Sequence, residues 1–343
     1  MTQPKTKFAD IGDLPLKTGG VLPQAQLAYI TYGKLAPDGR NAILLTHGYT
    51  SSHLFAESGA GGASEGSWSK LVGPGRAIDT DRYYVVASNM LGSSFGSTAP
   101  KSRNPATGRA YGPDFAAISV EDIVGAQKRM LDGLGVKGLA AVIGPSYGGF
   151  QAFAWGVAYP DFVRALVPAV TGLKGPKRMD MDALQARMSR DPNWNGGHYY
   201  EAGGILATMT AIRSETLRSY GIEQELAQRI PDKAARDAAI EATAREWAEA
   251  FDAHSLLVLG RASNAYDVTP HVDRIKAKVL YVLSRTDALF PPTLAPTVMG
   301  VLQAAGVDAR YVEIDSDHGH LASGTDSAKW EGALRALLNE FQS

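Results

Sequence analysis

Residues 138–160 read GLAAVIGPSYGGFQAFAWGVAYP, and this stretch decides the fold. Its opening, Leu139-Ala140-Ala141-Val142-Ile143, is short and apolar, with the character of a parallel strand buried on both faces. Gly144-Pro145-Ser146-Tyr147-Gly148-Gly149 comes next, and then Phe150, Phe153, Ala154 and Val157 recur at helical spacing. The order is strand, tight turn, helix, with Ser146 at the apex. A serine on so sharp a turn holds a strained backbone conformation, so the residues two places to either side must be very small. Gly144 and Gly148 meet that demand, and Gly149 predicts close packing of the helix on the sheet. The helix N-terminus also aims backbone N–H groups at any negative charge that develops beside the serine.

Outward from this stretch, apolar strands alternate with helices. Residues 26–33 alternate in polarity beside the turn at 17–20, which predicts hairpin material over residues 1–40. Buried strands are predicted at 42–46, 83–88, 163–170, 278–284 and 309–314, and a helix at 119–134 with Val120, Ile123, Val124, Gln127, Met130, Leu131 and Leu134 on one face. From about 173 to 265 the chain turns helical and more polar, with no buried-strand run. The organisation expected is an α/β core in two parts, 1–172 and 269–343, interrupted by a helical insertion, 173–268, lying over the strand ends where such sheets place their sites.

Composition excludes several classes. With 34 basic and 35 acidic residues the formal charge is −1, so nothing electrostatic argues for nucleic acid or an anionic membrane surface. Cysteine is absent, which removes disulfides, thiolate metal sites and a thiol nucleophile. No run approaches the ~20 apolar residues of a membrane span, and residues 1–20 lack the apolar core of a signal peptide. A cytoplasmic enzyme that takes a small molecule is the expectation.

A serine hydroxyl needs a base to remove its proton, and the base needs a third group to fix its tautomer. On a G-x-S-x-G turn the acid and the histidine follow the serine in that order. Asp287 lies directly after the strand in VLYVLSRTDALFPP, and His318 and His320 follow the last strand in IDSDHGH. His320 is preferred, because Gly319 frees the loop to swing the ring towards the serine. The oxyanion donors are expected from the backbone of Tyr147 and of Tyr49, the latter in His47-Gly48-Tyr49 after an early strand. His47 is expected to hold that loop, His198, His254 and His271 to be ordinary polar residues, and His53 has no evident role. Asp315, Asp317, His318 and His320 lack a matching ligand set elsewhere, so no metal is expected. Gly48, Met90, Trp194, Tyr199 and Leu321 are the expected pocket lining.

Long stretches outside the elbow are more specific than the elbow itself: 68–83 (WSKLVGPGRAIDTDRY), 89–115 (NMLGSSFGSTAPKSRNPATGRAYGPDF), 191–199 (DPNWNGGHY), 251–267 and 287–292 (DALFPP). Through these the chain resembles the homoserine O-acetyltransferase family of α/β-hydrolase-fold proteins over nearly its whole length. The resemblance implies a mostly parallel sheet with a helical lid, and Ser146, Asp287 and His320 as nucleophile, acid and base. It also implies an acyl-serine intermediate, no cofactor, and a homodimer formed through the lid.

The departures carry information too. Where that family follows the catalytic Gly-His with an aspartate for the amino group of homoserine, this chain has Leu321. Thr208 falls where the family carries a lid arginine for the substrate carboxylate, and Arg213 stands about a turn and a half further along as a possible substitute. The elbow reads Gly-Pro-Ser-Tyr rather than Gly-Gly-Ser-Met. Leaving both ends of a zwitterion desolvated and unpartnered costs several kcal/mol, so homoserine is a poor acceptor here. Leu321, Ala322 and Phe290 make the surroundings of the base apolar, which suits a small uncharged ester. Two functions are therefore expected in turn: hydrolysis of short-chain acyl esters, acetates first, or acyl-CoA-dependent transfer to another alcohol.

Overall fold

The computed structural model describes residues 5–57, 67–176 and 180–341. In chain order, strands β1 (Lys7–Pro15) and β2 (Val21–Tyr32) form a hairpin, followed by β3 (Ala42–Thr46) and a separate two-stranded ribbon of β4 (Val72–Gly73) and β5 (Ile78–Asp79). Next come β6 (Tyr84–Ser88), helix α1 (Val120–Gly133), β7 (Leu139–Pro145), helix α2 (Tyr147–Ala158) and β8 (Ala165–Ala169). Helices α3 (Met181–Met188), α4 (Leu206–Ser219), α5 (Ile222–Ala227), α6 (Lys233–Ala250) and α7 (Ala253–Ala265) precede the return to β9 (Lys278–Ser284). The chain ends on α8 (Ala295–Ala304), β10 (Ala309–Ile314), α9 (Ala322–Thr325) and α10 (Glu331–Asn339).

Eight strands form one sheet in the order β1-β2-β6-β3-β7-β8-β9-β10. From β6 to β10 neighbours run parallel, and the β1–β2 hairpin adds an antiparallel edge. Side chains alternate between two cores, as the pleat requires. Leu44, Val142, Leu166 and Tyr281 face α1 and α2, whereas Ile43, Leu45, Ile143, Val167 and Val282 face the side covered by α10. Burial on both faces explains why these strands read as continuous apolar runs. Helix α1 begins at a reciprocal cap in which Ser119 accepts from the Asp122 N–H and Asp122 accepts from the Ser119 N–H, so the predicted start at residue 119 is set locally.

Between β8 and β9 the described residues form helices and no regular strand. The segment leaves and re-enters the core through a short antiparallel contact in which the Gly175 N–H donates to Tyr266 O and the Val268 N–H to Leu173 O. Lys174 and Asp267 pair across it at 3.0 Å. The helices carry a hydrophobic core of their own, including Trp194, Met209, Trp247, Phe251 and Leu256, against which Tyr49 and Phe95 pack.

At the elbow the fit is tight. A Cβ on Gly144 would fall 2.1 Å from Thr46 Oγ1, and one on Gly148 would fall 2.2 Å from Thr46 O. Gly144→Ala should therefore cost about 1–3 kcal/mol or more in a chemical-denaturation measurement, because the new methyl also falls 2.4 Å from the backbone Thr46 O, which cannot yield as a side chain can. Gly125→Ala, inside α1 with nothing within 4 Å of the new methyl, should instead stabilise by about 0.5–1 kcal/mol.

Candidate active site

Ser146 sits between β7 and α2 with φ 55° and ψ −119°, a conformation that non-glycine residues seldom hold. Hydrogen bonds over-determine it: the Ser146 N–H donates to Ala169 O at 2.8 Å, and Ser146 O accepts from Thr171 Oγ1 at 2.8 Å and from the Gly149 N–H at 2.9 Å. The strain lifts the hydroxyl above the C-terminal ends of the parallel strands.

Asp287 and His320 come from the loops after β9 and β10, which are neighbours in the sheet. The His320 Nδ1–H donates to Asp287 Oδ2 at 2.8 Å, while the backbone N–H groups of Leu289 and Phe290 donate to Oδ1 at 2.8 and 3.2 Å. Asp287 is 2% exposed and His320 9%. Burial alone would raise the Asp287 carboxyl, but the charge and hydrogen bond of His320, with the two backbone donors, hold it below the ordinary carboxylate range. The imidazole lies between two aromatic rings, Tyr220 at 5.1 Å and Phe290 at 5.8 Å.

The residues just before Asp287 hold the rest of the histidine loop. Arg285 pairs with Asp315 at 2.7 Å and Asp317 at 2.6 Å. Thr286 Oγ1 donates to Ser316 O at 2.8 Å and accepts from the Gly319 N–H at 3.1 Å. Arg285 is half-exposed, so its pairs contribute little, whereas the Thr286 bonds brace backbone directly beside His320. Neither residue was singled out from sequence; only their adjacency to Asp287 marks them. Among the described residues no group of three or more acidic, histidine or cysteine side chains could hold a metal ion.

The loop after β3 comes up against the serine, where a Cβ built on Gly48 would stand 3.8 Å from Ser146 Cβ. His47, fully buried, organises that loop. Its Nδ1–H donates to Gly48 O at 2.8 Å, and its Nε2 accepts from the Met90 N–H at 3.0 Å, a pair of bonds that only the neutral ring satisfies. Burial pulls its pKa down to about 3. The rings of Tyr49 and Tyr147 stack with centroids 6.0 Å apart and planes at 12°.

Two cavities meet at Ser146. One, of about 510 Å³, runs under α3 and α4 and is walled by Tyr49, Tyr147, Phe150, Trp247, Leu256 and Phe290. At its rim Arg187 of α3 and Glu215 of α4 form a two-pronged ion pair at 2.6 and 2.7 Å. The other, of about 40 Å³, lies among Gly48, Ser51, Phe55, His320, Leu321 and Ser323. Tyr220, unremarked in the sequence reading, borders both.

Three expected lining residues lie elsewhere. The Met90 side chain is fully buried in the core beneath the sheet, and only its N–H serves the site, through His47. Trp194 and Tyr199 pack around His254, at 5.1 and 5.2 Å, inside the core of the helices between β8 and β9. A buried carboxylate needs donors, and Asp252, which caps α7, draws the hydroxyls of Tyr199 at 2.5 Å and Tyr200 at 3.2 Å away from the cavity. His318 lines neither cavity. Thr208 is bonded to Asp191 at 2.6 Å, whereas the Arg213 guanidinium is buried against Trp247, behind the cavity wall.

Comparison with known proteins places this geometry. A family model described as the alpha/beta hydrolase fold matches residues 41–326. A homoserine O-acetyltransferase of Symbiobacterium thermophilum is 37% identical over 356 residues, covering 96% of this chain and 93% of its own. The chain belongs to the homoserine O-acetyltransferase family of α/β hydrolases. A homoserine O-succinyltransferase of Methylibium petroleiphilum is 36% identical, with 95% and 91% covered. Among solved structures, the homoserine O-acetyltransferase of Bacillus anthracis superposes with a TM-score of 0.87 at 25% identity over 99% of this chain and 98% of that one. Esterase E22 superposes at 0.86 with 26% identity over 97% and 99%. The α/β-hydrolase family thus supplies both acyltransferase and esterase relatives. No helix among the described residues is long and apolar enough to cross a membrane.

Two measurements test this arrangement. Thr286→Val, which removes both bonds to the histidine loop, should lower kcat about tenfold, consistent with about 1.4 kcal/mol of lost positioning, while Arg285→Gln leaves kcat within twofold. His47 stays neutral when folded but takes up a proton below pH 6.5 when unfolded, and His53, with its pKa drawn down to about 4 by burial, behaves alike. The stability these two rings contribute is thus fully present above pH 6.5 and is lost on acidification, down to about pH 4 for His53 and about pH 3 for His47. Urea unfolding across this range should show a slope of about 1.4 kcal/mol per pH unit for each ring.

Proposed function

We propose that this chain is a serine carboxylic-ester hydrolase acting on small uncharged acyl esters, acetates first. The observation that carries the reading is that His320, bonded to Asp287, borders the same small cavity as Ser146, and that this lining contains no Asp, Glu, Lys or Arg among the described residues. His320 takes the Ser146 proton as Oγ attacks the ester carbonyl, and the imidazolium that forms is stabilised by ionised Asp287. The tetrahedral oxyanion is met by the N–H groups of Tyr49 and Tyr147, each worth about 3 kcal/mol. His320 then hands its proton to the departing alcohol. A water molecule, deprotonated in turn by His320, attacks the acyl-serine and releases the acid, returning the proton to Ser146.

The second reading is acyl transfer from acyl-CoA to an alcohol, favoured by the names of the relatives at 36–37% identity. Both readings share the acyl-serine and differ in whether water or an alcohol removes the acyl group. Leu321 beside His320 in the small cavity favours water, since a zwitterionic acceptor finds no carboxylate there for its ammonium.

Ser146→Ala should reduce p-nitrophenyl acetate hydrolysis to background, and Asp287→Asn should lower kcat by about 10⁴ while leaving the fold intact by circular dichroism. Full activity in Ser146→Ala would end the assignment. Ethyl acetate should be hydrolysed without any CoA donor; acetylhomoserine formed from acetyl-CoA and homoserine faster than ester is hydrolysed would select transfer instead.

A further inference from the structure

The segment from His47 to Thr50 is held from two directions. From below, the core grips its first half: His47 bridges Gly48 and Met90, Gln151 Nε2 donates to His47 O at 3.3 Å, and the Ser51 N–H donates to Gly48 O at 3.2 Å. From above, three lid helices grip its second half. Trp247 of α6 donates its indole N–H to Thr50 O at 2.8 Å, Arg213 of α4 donates from Nη1 to Thr50 Oγ1 at 3.0 Å, and the Tyr49 hydroxyl donates to Leu256 O of α7. The grips are themselves coupled. The Arg213 guanidinium lies 4.8 Å from the Trp247 ring centroid, and Trp247 stacks on Phe251 at 4.6 Å and 15°. Arg213 and Trp247 are each 1% exposed.

We infer that Trp247 is a positioning residue for the oxyanion loop, so that the lid is part of the catalytic framework as well as a cover. With Gly48 fixed by the core and Thr50 by the lid, the backbone of Tyr49 between them has no freedom to turn its N–H away from the serine. Donors aimed at a developing oxyanion lose their worth when displaced by a fraction of an ångström. Removing the indole N–H leaves Thr50 O buried without that donor, and the loop relaxes to recover a partner. The loss falls on the transition state, in which the oxyanion exists, and spares ground-state binding. The inference rests on the ester-hydrolase reading of Ser146 and Tyr49.

The experiment compares Trp247→Phe with Phe251→Leu. The first keeps a ring against Arg213 and loses the N–H; the second loosens the same stack without touching Thr50. With p-nitrophenyl acetate, Trp247→Phe should lower kcat about tenfold with KM within twofold. Phe251→Leu, at a comparable loss of Tm, should keep kcat within twofold. Phenylboronic acid, which adds to a serine hydroxyl as a tetrahedral anion, should bind Trp247→Phe about tenfold more weakly and Phe251→Leu as wild type. Full kcat in Trp247→Phe, or equal losses in both variants, would overturn the positioning role. Ser146→Ala measured alongside separates the two levels: if it stays active the nucleophile assignment falls, and if it is dead while Trp247→Phe is unimpaired only the lid inference falls.

Discussion

Thr46 O stands where any side chain on residue 148 would have to go, and Thr46 Oγ1 where one on residue 144 would. That closeness between the end of β3 and the turn after β7 is the constraint on which the site depends. It holds Ser146 at positive φ, and it draws the chain after β3 alongside the serine. Thr46 Oγ1 fastens the arrangement by donating to Gly148 O at 2.9 Å. Ser146 and the expected oxyanion loop are therefore set by one packing event between neighbouring strands, and neither moves without the other.

Asp287 and His320, the other two members of the expected triad, come from the two strands at one edge of the sheet. β9 and β10 are adjacent and parallel, so their following loops project from the same edge at a spacing fixed by the ladder. Three consecutive residues, Arg285, Thr286 and Asp287, then reach three parts of the neighbouring loop: its carboxylates, its backbone and its imidazole. Against the burial that would raise it, the charge and hydrogen bond of His320, with two backbone N–H groups, hold the Asp287 carboxyl below the ordinary carboxylate range. Asp287, His320 and the loop that carries His320 are thus one hydrogen-bonded unit.

Much of this was legible in the chain itself. The elbow announces itself because its steric demand is local: glycine at 144 and 148 is a direct imprint of the Thr46 contact. The strands are legible because burial on both faces leaves an unbroken apolar run, and Asp287 and His320 because each follows such a run. What was not legible depends on who meets whom across long separations. In the sequence Tyr199 and Trp194 have the look of pocket aromatics, yet the buried carboxylate of Asp252, more than fifty positions later, claims Tyr199 and organises both around α7. Trp247 sits on a helix that reads as polar and solvated, and nothing in its neighbourhood signals that its N–H meets a carbonyl 197 residues earlier. Thr208 and Arg213 are five residues apart on one helix, and only the packing of α4 on α6 decides that the arginine, not the threonine, turns inward.

The paired threshold at residues 173–175 and 266–268 gives the molecule a modular character. Because the two ends of the helical roof are already side by side, the entropy of joining them rises only slowly with the length of chain between, by about 0.6 kcal/mol per doubling. Another roof would leave the sheet and the elbow in place, but besides deciding what molecules gain entry it would have to replace Tyr220 against the imidazole of His320. Such a graft would still have to bring its own donor for the carbonyl of residue 50, so acquired specificity and retained turnover would be inherited as one package.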